Sequence, residues 1–427
     1  MLKSNQFHNI SSIVPSNQLR NLNFFWSGFT IYTLINAFAA TEYSKSVKIF
    51  QFVQIIGIIL IVATAIKLIQ FKFDNSYLKF IYILYYIWLF TILLRGFNFQ
   101  LDYLKQFLLN GWYNGMLYFS PIILLFPRNF AFYKKVFQVV IIFGIFHIIY
   151  DIIFIKDLLN SDRSSFKSQG IIEIFSALSI PSGFLLLTHS YHSKKRQLFA
   201  LGVTVLALLF AIIRARRGLI FIYGNTILFS FILYMYYSKM RLLIIYVAIF
   251  IALSGTYYLS SIYKPMENRL IGFLMERGDE NTRSEIELYF YDDMKTKDWI
   301  IGRGVNGKYF CPGVEPDQET NFRDTIETGY EQTILKGGLI SLGLFLIIAV
   351  PGIIKGLFYS KNILSKAAGI WIFMSLVNSY PSTVNAFTLQ YLLVWISIGI
   401  CYSKEIRMMP ESNMKDIFLT STSSSSR

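Results

Sequence analysis

Long apolar runs separated by short charged turns set the rhythm of this chain. A helix needs about 20 mostly apolar residues to cross a bilayer. Stretches of that kind fall at residues 22–40, 50–69, 77–94, 108–126, 136–155, 171–187, 197–213, 219–237, 242–259, 334–354, 367–380 and 384–401. Gly111, Asn114, Gly115 and Pro121 interrupt the fourth, and the eleventh is short. The pattern predicts an all-α, polytopic integral membrane protein of about 12 transmembrane helices. No internal repeat divides it into two related halves.

Polar residues accumulate in one long gap. Residues 1–260 therefore read as an N-terminal helix bundle of about nine spans, and residues 334–402 as about three more. Between them, residues 261–333 form one large extracytoplasmic loop that contains short helices. Residues 266–277 carry apolar Met266, Leu270, Ile271 and Leu274 on one face, the pattern of an amphipathic helix at the interface. A second helix is expected from Arg283 to about Lys295, because Ile286, Phe290 and Met294 recur every fourth residue and Thr282 is placed to cap it. Residues 403–427 read as a cytoplasmic tail without structure, ending in Ser-Thr repeats.

Charge orients the bundle. The formal net charge is +15, but most basic residues flank apolar runs, which points to anionic lipid rather than nucleic acid as the partner. With both termini in the cytoplasm, the inner loops collect Lys72, Arg128, Lys134, Lys135, Lys194, Lys195, Arg196, Lys239, Arg241, Lys355 and Lys361. The short outer loops are poorer in cations, as the inside-positive rule requires. Cys311 and Cys401 fall on opposite sides, so no disulfide is expected between them.

Arg214-Ala215-Arg216-Arg217 breaks that rule. It fills the shortest gap between two apolar runs and lies outside in this orientation. The ordinary alternative is snorkelling to lipid headgroups. An exterior cluster of arginines instead suits a lipid-linked pyrophosphate, since each guanidinium donates a planar fork of hydrogen bonds and stays charged. Gly218 beside it lets phosphate oxygens approach the backbone. Asp324, Glu327 and Glu331 precede the tenth run at the membrane surface. They are either a solvated helix start or the source of a general base for a sugar hydroxyl.

Gly302-x-Gly304-x-x-Gly307 spells the dinucleotide fingerprint, but an exterior loop lacks the βαβ unit that gives the fingerprint meaning. A tight turn is the expected role, with Arg303 able to face a substrate. His8, His147, His189 and His192 all lie outside the large loop, so no histidine base is available there. No spacing of His, Cys or acids suggests a metal site, and no cofactor is expected.

These features resemble the O-antigen polymerase (Wzy) and O-antigen ligase group of GT-C-like polytopic membrane glycosyltransferases. The resemblance covers most of the chain as architecture and specific residues from Arg214 to Gly343. Arg216-Arg217-Gly218 is similar to the family's Ser-Arg-Gly, so Arg217 matches the family arginine and Arg216 departs from a small residue. Arg283, Trp299 and Gly302-Arg303-Gly304 resemble the family's helix-heading arginine, aromatic and Gly-x-Gly turn. Glu327 stands where ligases place a histidine, and Ser341 replaces the second glycine of a later Gly-x-x-Gly pattern. That departure favours a polymerase over a ligase.

The resemblance implies an inverting, metal-independent transfer of a growing glycan from undecaprenyl pyrophosphate to a lipid-linked repeat unit, on the outer face of a bacterial cytoplasmic (inner) membrane. It implies catalytic roles for Glu327, Arg217 and Arg283. Arg214, Arg216, Arg303, Tyr330 and Glu331 are then expected to bind substrate, and a chain-length regulator is an expected partner. Two rivals stand beside it: an O-antigen ligase, and a lipid-linked glycan flippase or transporter built on charges inside the spans, such as Asp151 and Glu173.

Overall fold

The computed structural model describes residues 15–39, 47–109, 114–159, 166–238, 282–312, 321–381 and 386–419. Among these the protein is all-α apart from one antiparallel pair, β1 (Tyr309–Phe310) with β2 (Phe322–Arg323). Six helices are long and apolar enough to cross a membrane: Lys48–Leu68, Ser76–Leu94, Phe130–Ile153, Lys194–Ile213, Arg217–Tyr237 and Gly329–Phe358. Shorter apolar helices run over Gly115–Leu125, Ile174–Leu187, Ile363–Asn378 and Leu389–Tyr402. The expected span at 242–259 and the amphipathic helix at 266–277 lie outside the described residues.

In chain order the helices are α1 (Ser16–Ala39), α2 (Val47–Leu68), α3 (Ser76–Leu94), α4 (Leu101–Leu109), α5 (Asn114–Leu117), α6 (Phe130–Ile153), α7 (Ile155–Leu159), α8 (Phe166–Ser179) and α9 (Ser182–Leu187). Next come α10 (Lys194–Ile213), α11 (Arg217–Tyr237), α12 (Thr282–Asp293), α13 (Thr296–Ile301), α14 (Gly329–Phe358), α15 (Ile363–Asn378), α16 (Leu389–Tyr402), α17 (Lys404–Met408) and α18 (Glu411–Leu419). Phe52, Ile59 and Ile66 on α2, spaced by seven residues, are each about three-fifths or more exposed. Phe80 and Ile87 continue the same habit on α3. Outward apolar stripes of this length belong in a bilayer.

About 12 unbroken spans are not found among the described residues, because three apolar runs are broken. Residues 108–126 split into the end of α4, the single turn α5 and a 3₁₀ helix at Ser120–Leu125. Non-helical backbone is tolerated at membrane depth only where its polar groups find partners. Here Tyr32 Oη donates to Leu108 O at 3.1 Å, Gln54 Nε2 to Leu109 O at 3.0 Å and Tyr82 Oη to Pro121 O at 3.1 Å. Residues 171–187 divide between α8 and α9 at Pro181, which cannot donate to the helix ladder. Helix α14 is broken at Gly338, whose φ of 67° and ψ of −176° are not helical.

Contacts between helices separate two ends of the bundle. Helix α11 runs antiparallel to α15, with Asn225 Nδ2 bonded to Asn378 Oδ1 at 3.2 Å and Phe229 against Phe373 at 5.5 Å. Just past α15, Ser379 O accepts from Gly329 N at 2.7 Å. The start of α11, the end of α15 and the start of α14 therefore share one end, called here the loop end. At the other end lies the C-terminal segment.

That segment is folded over residues 404–419, contrary to the structureless tail expected from its composition. Asn362 Nδ2 donates to Ile406 O at 2.7 Å and to Met409 O at 3.0 Å. Glu411 Oε2 accepts from Tyr191 Oη at 2.9 Å and from Ile363 N at 2.8 Å. Buried Met414 and Phe418 sit in the same cluster as Phe130, Phe137 and Tyr191. Burying these apolar groups contributes on the order of 5 kcal/mol. Truncation after Ser403 is therefore expected to lower the thermal midpoint in detergent, and an unchanged midpoint would show that the tail adds nothing to the core.

Candidate functional site

The arginine turn closes α10 with a Schellman pattern. Ala215 N donates to Ile212 O at 2.9 Å and Arg216 N to Ala211 O at 2.8 Å. This pattern demands a left-handed residue, and Ala215 supplies it at φ 52° where glycine is usual. Arg214 is buried, Arg216 half-buried, and Arg217, the first residue of α11, exposed. Arg217 precedes Asn225 by about 12 Å of helix rise, so the turn sits at the loop end.

The second of the expected loop helices forms where its apolar spacing predicts, as α12. Ile286, Phe290 and Met294 are buried and share a small core with Tyr309, Cys311 and Ile326. Ile334 and Leu335 belong to the same core, so the loop packs directly onto α14. Arg283 lies in the first turn of α12. Trp299 stacks on Tyr291 with centroids 5.8 Å apart.

At the start of α14, Glu331 is a buried carboxylate with both oxygens engaged. Tyr291 Oη donates to Oε1 and Thr328 Oγ1 to Oε2, each at 2.5 Å. The bond to Glu331 pushes the Tyr291 phenol up to about 12, with burial adding to it. Tyr330 donates its hydroxyl to Leu376 O at 2.5 Å and ties the same turn to α15. Glu327, one residue before the helix cap Thr328, is exposed. Glu327, Tyr330 and Glu331 thus fall together, with Glu327 presenting its side chain to the surface and Glu331 joining loop to helix.

Arg303 has a different role from the substrate contact expected for it. Its Nε and Nη2 reach Asp298 Oδ2 at 3.0 and 2.9 Å. Nη2 also donates to Asp293 O at 2.5 Å, and Nη1 donates to Lys308 O at 2.7 Å and to Asp293 Oδ2. All five N–H groups of a guanidinium are accounted for, which makes Arg303 the loop's internal clasp. Burial pushes the Asp293 carboxyl up, yet bonds from Arg303 and Phe310 N outweigh it and hold the group below its ordinary 3.8. A carboxyl depressed in the folded state stabilises fully above its unfolded value, and that contribution disappears as pH falls through the folded value. The loop is therefore expected to loosen only below about pH 4. Arg303→Gln should move that acid transition to higher pH, which tryptophan fluorescence of Trp299 can follow.

The glycine motif proves to be a docking seat. The break at Gly338 leaves carbonyls of α14 without helical donors. Arg303 N donates to Leu335 O at 2.7 Å, Gly304 N to Lys336 O at 2.9 Å, and Trp88 Nε1 to Gly337 O at 2.9 Å. From α3, Arg95 Nη1 and Nη2 donate to Gly302 O and Ile301 O at 3.0 and 2.6 Å, while Val305 N returns a bond to Ile92 O at 3.1 Å. Glycine is required by distance: a Cβ on Gly304 would lie 2.1 Å from Arg95 O.

Beneath this seat a cavity of about 40 Å³ is lined by Tyr85, Tyr118, Gln332, Lys336, Ser341 and Tyr391, among others. Lys336 is buried, and its Nζ donates to Gly307 O at 2.9 Å. Pattern reading passed over this lysine, although Lys-Gly-Gly at the head of an apolar run was the available signal. It also passed over the pairing of His147 with Asp151, i and i+4 on α6, both 3% exposed with Nε2 3.2 Å from Oδ2. Near them Ser179 Oγ and Tyr223 Oη are 2.6 Å apart. Among the described residues, no group of three or more His, Cys, Asp or Glu side chains is placed to hold a metal ion.

Comparison with protein-family models, with curated proteins and with solved structures returned no match to this chain. The chemistry of the loop end is accordingly read from its own residues.

Proposed function

We propose that this protein is a metal-independent, inverting glycosyltransferase that polymerises a lipid-linked polysaccharide of the O-antigen or capsule type. The observation that carries the reading is the gathering at one end of an apolar bundle of the Arg214–Arg217 turn and of the start of α14 with Glu327. A donor held by undecaprenyl pyrophosphate has an apolar tail for the bilayer and a dianionic leaving group at the surface. Arg217 and Arg283, with Arg214 and Arg216, neutralise that pyrophosphate.

The acceptor hydroxyl of a lipid-linked repeat unit attacks the anomeric carbon. Its proton passes to the Glu327 carboxylate, the new glycosidic C–O bond forms, and the pyrophosphate leaves with the electron pair of the broken bond. Tyr330 and Glu331 fix the turn that presents Glu327. The work takes place on the outer face of a bacterial cytoplasmic membrane.

A flippase or transporter is the second reading, favoured by the buried His147–Asp151 pair, since ionisable groups within membrane helices often mark a transport path. The two separate in detergent, where no compartments exist. Purified protein given a lipid-linked repeat unit is expected to yield a ladder of longer products. Unchanged substrate from active preparations would leave the transporter standing. Attachment of the glycan only when a lipid A core acceptor is added would identify a ligase.

A further inference from the structure

The cavity beneath the glycine seat has an unusual balance of groups. Its wall contains one basic side chain, Lys336, and neither an aspartate nor a glutamate. An ammonium carries three N–H groups. Gly307 O accepts one, and among the described residues the other two have no protein acceptor and no ion-pair partner. Asp324 is the carboxylate whose field reaches Lys336, but it does not line the cavity. Ser341, 3% exposed, also brings a hydroxyl to this wall. The phenols of Tyr85, Tyr118 and Tyr391 add further donors.

Two breaks in helical structure frame the same space. One is Gly338, after which the second half of α14 begins, and the other is the irregular stretch from α5 through the 3₁₀ helix, which contributes Leu117, Tyr118 and Pro121. Irregular backbone at membrane depth characteristically lines ion sites.

We infer that this cavity binds a small inorganic anion of the halide class, held by Lys336 Nζ and Ser341 Oγ. Donor-rich, acid-free walls select negative charge. A water needs roughly 10–15 Å³ of such space, so about 40 Å³ has room for a monatomic anion with a water. Because the same Nζ bonds Gly307 O, the anion completes the clasp that keeps the glycine turn seated on α14. The site stands apart from the pyrophosphate assigned to the arginine turn, and neither depends on the other.

The test uses the full chain in detergent at constant ionic strength, with sodium chloride, sodium bromide or sodium gluconate. A saturable rise of roughly a few °C in the melting midpoint is expected with either halide and not with gluconate. Lys336→Met should melt at one temperature in all three salts. Ser341→Ala should shift the halide concentration for half-maximal effect upward several-fold. Bromide soaked into crystals should give an anomalous peak in contact with Nζ, which decides the matter even where Lys336→Met does not fold. Equal midpoints in all salts for the natural sequence, a halide effect that persists in Lys336→Met, or a bromide peak elsewhere alone would overturn the assignment.

Discussion

Alanine at Gly338 is expected to unseat the loop of residues 282–323 from the bundle. The φ of 67° with a ψ of −176° is a conformation essentially reserved for glycine and disfavours an L-residue by about 1–3 kcal/mol. A Cβ there would also stand 2.1 Å from Ile300 O, a backbone atom that cannot swing aside. Relief requires the loop to withdraw, which breaks the bonds from Arg303 N and Gly304 N, each contributing about 1 kcal/mol. The combined loss is on the order of 3–5 kcal/mol. Cys311 offers the readout, since its thiol is buried in the loop core while Cys401 is buried in the bundle. Maleimide should label Cys311 rapidly in Gly338→Ala and leave Cys401 protected. Gly343→Ala, where an added Cβ meets nothing within 4 Å, serves as the neutral control. Equal protection of Cys311 in both variants would mean that the loop is held elsewhere.

Arg217→Ala is expected to abolish glycan elongation, with a rate loss of at least about 100-fold, the scale seen when a preorganised donor to a developing anion is removed. Arg217 is exposed, so the change leaves the core intact and the loss reads chemistry rather than folding. Arg214→Ala is a poorer probe because that side chain is buried. Arg217→Lys should be nearly as impaired, since an ammonium keeps the charge but lacks the planar two-point donor geometry. Polymer of normal length from the lysine variant would reduce the role to general attraction. Glu327→Gln should likewise stop elongation at unchanged protein level. Wild-type product from that variant would remove the proposed base while leaving the arginine turn in place. Product ladders from lipid-linked repeat units measure all three.

The apolar runs made α2, α3, α10 and α11 legible to within a few residues and α6 apart from its first turns, and the recurrence of Ile286, Phe290 and Met294 at every fourth residue located α12. What local pattern did not convey was interruption. Hydropathy averaged over residues 334–354 is high, and the same stretch holds the break at Gly338, because an apolar average carries no information about φ. Pro121 and Pro181 were visible, yet their effect depends on whether neighbours such as Tyr82 supply the missing donors. The glycine motif reads as a tight turn, but its partners lie on α3 and α14, and contacts so remote leave no local signature. The tail was misjudged from its composition, although Met414 and Phe418 are spaced to share one helical face. Of the proposed site, Glu327, Tyr330 and Glu331 cluster in space because they are neighbours in sequence. That Arg303 is enclosed by Asp293 and Asp298 needed the folded loop.

The seat has a consequence for how the protein is made. Trp88 and Gly337 are 249 positions apart, and Arg95 and Gly302 are separated by 207. A ribosome must therefore deliver α3 long before its partner exists, and the glycine turn must be made before α14 can seat against it. Until then bare carbonyls of α14 face hydrocarbon or must be sheltered by the insertion machinery. Assembly of the seat is therefore expected to come late in biogenesis, so substitutions there should surface in cells first as degraded chains and low yield, ahead of any change in what the mature protein does.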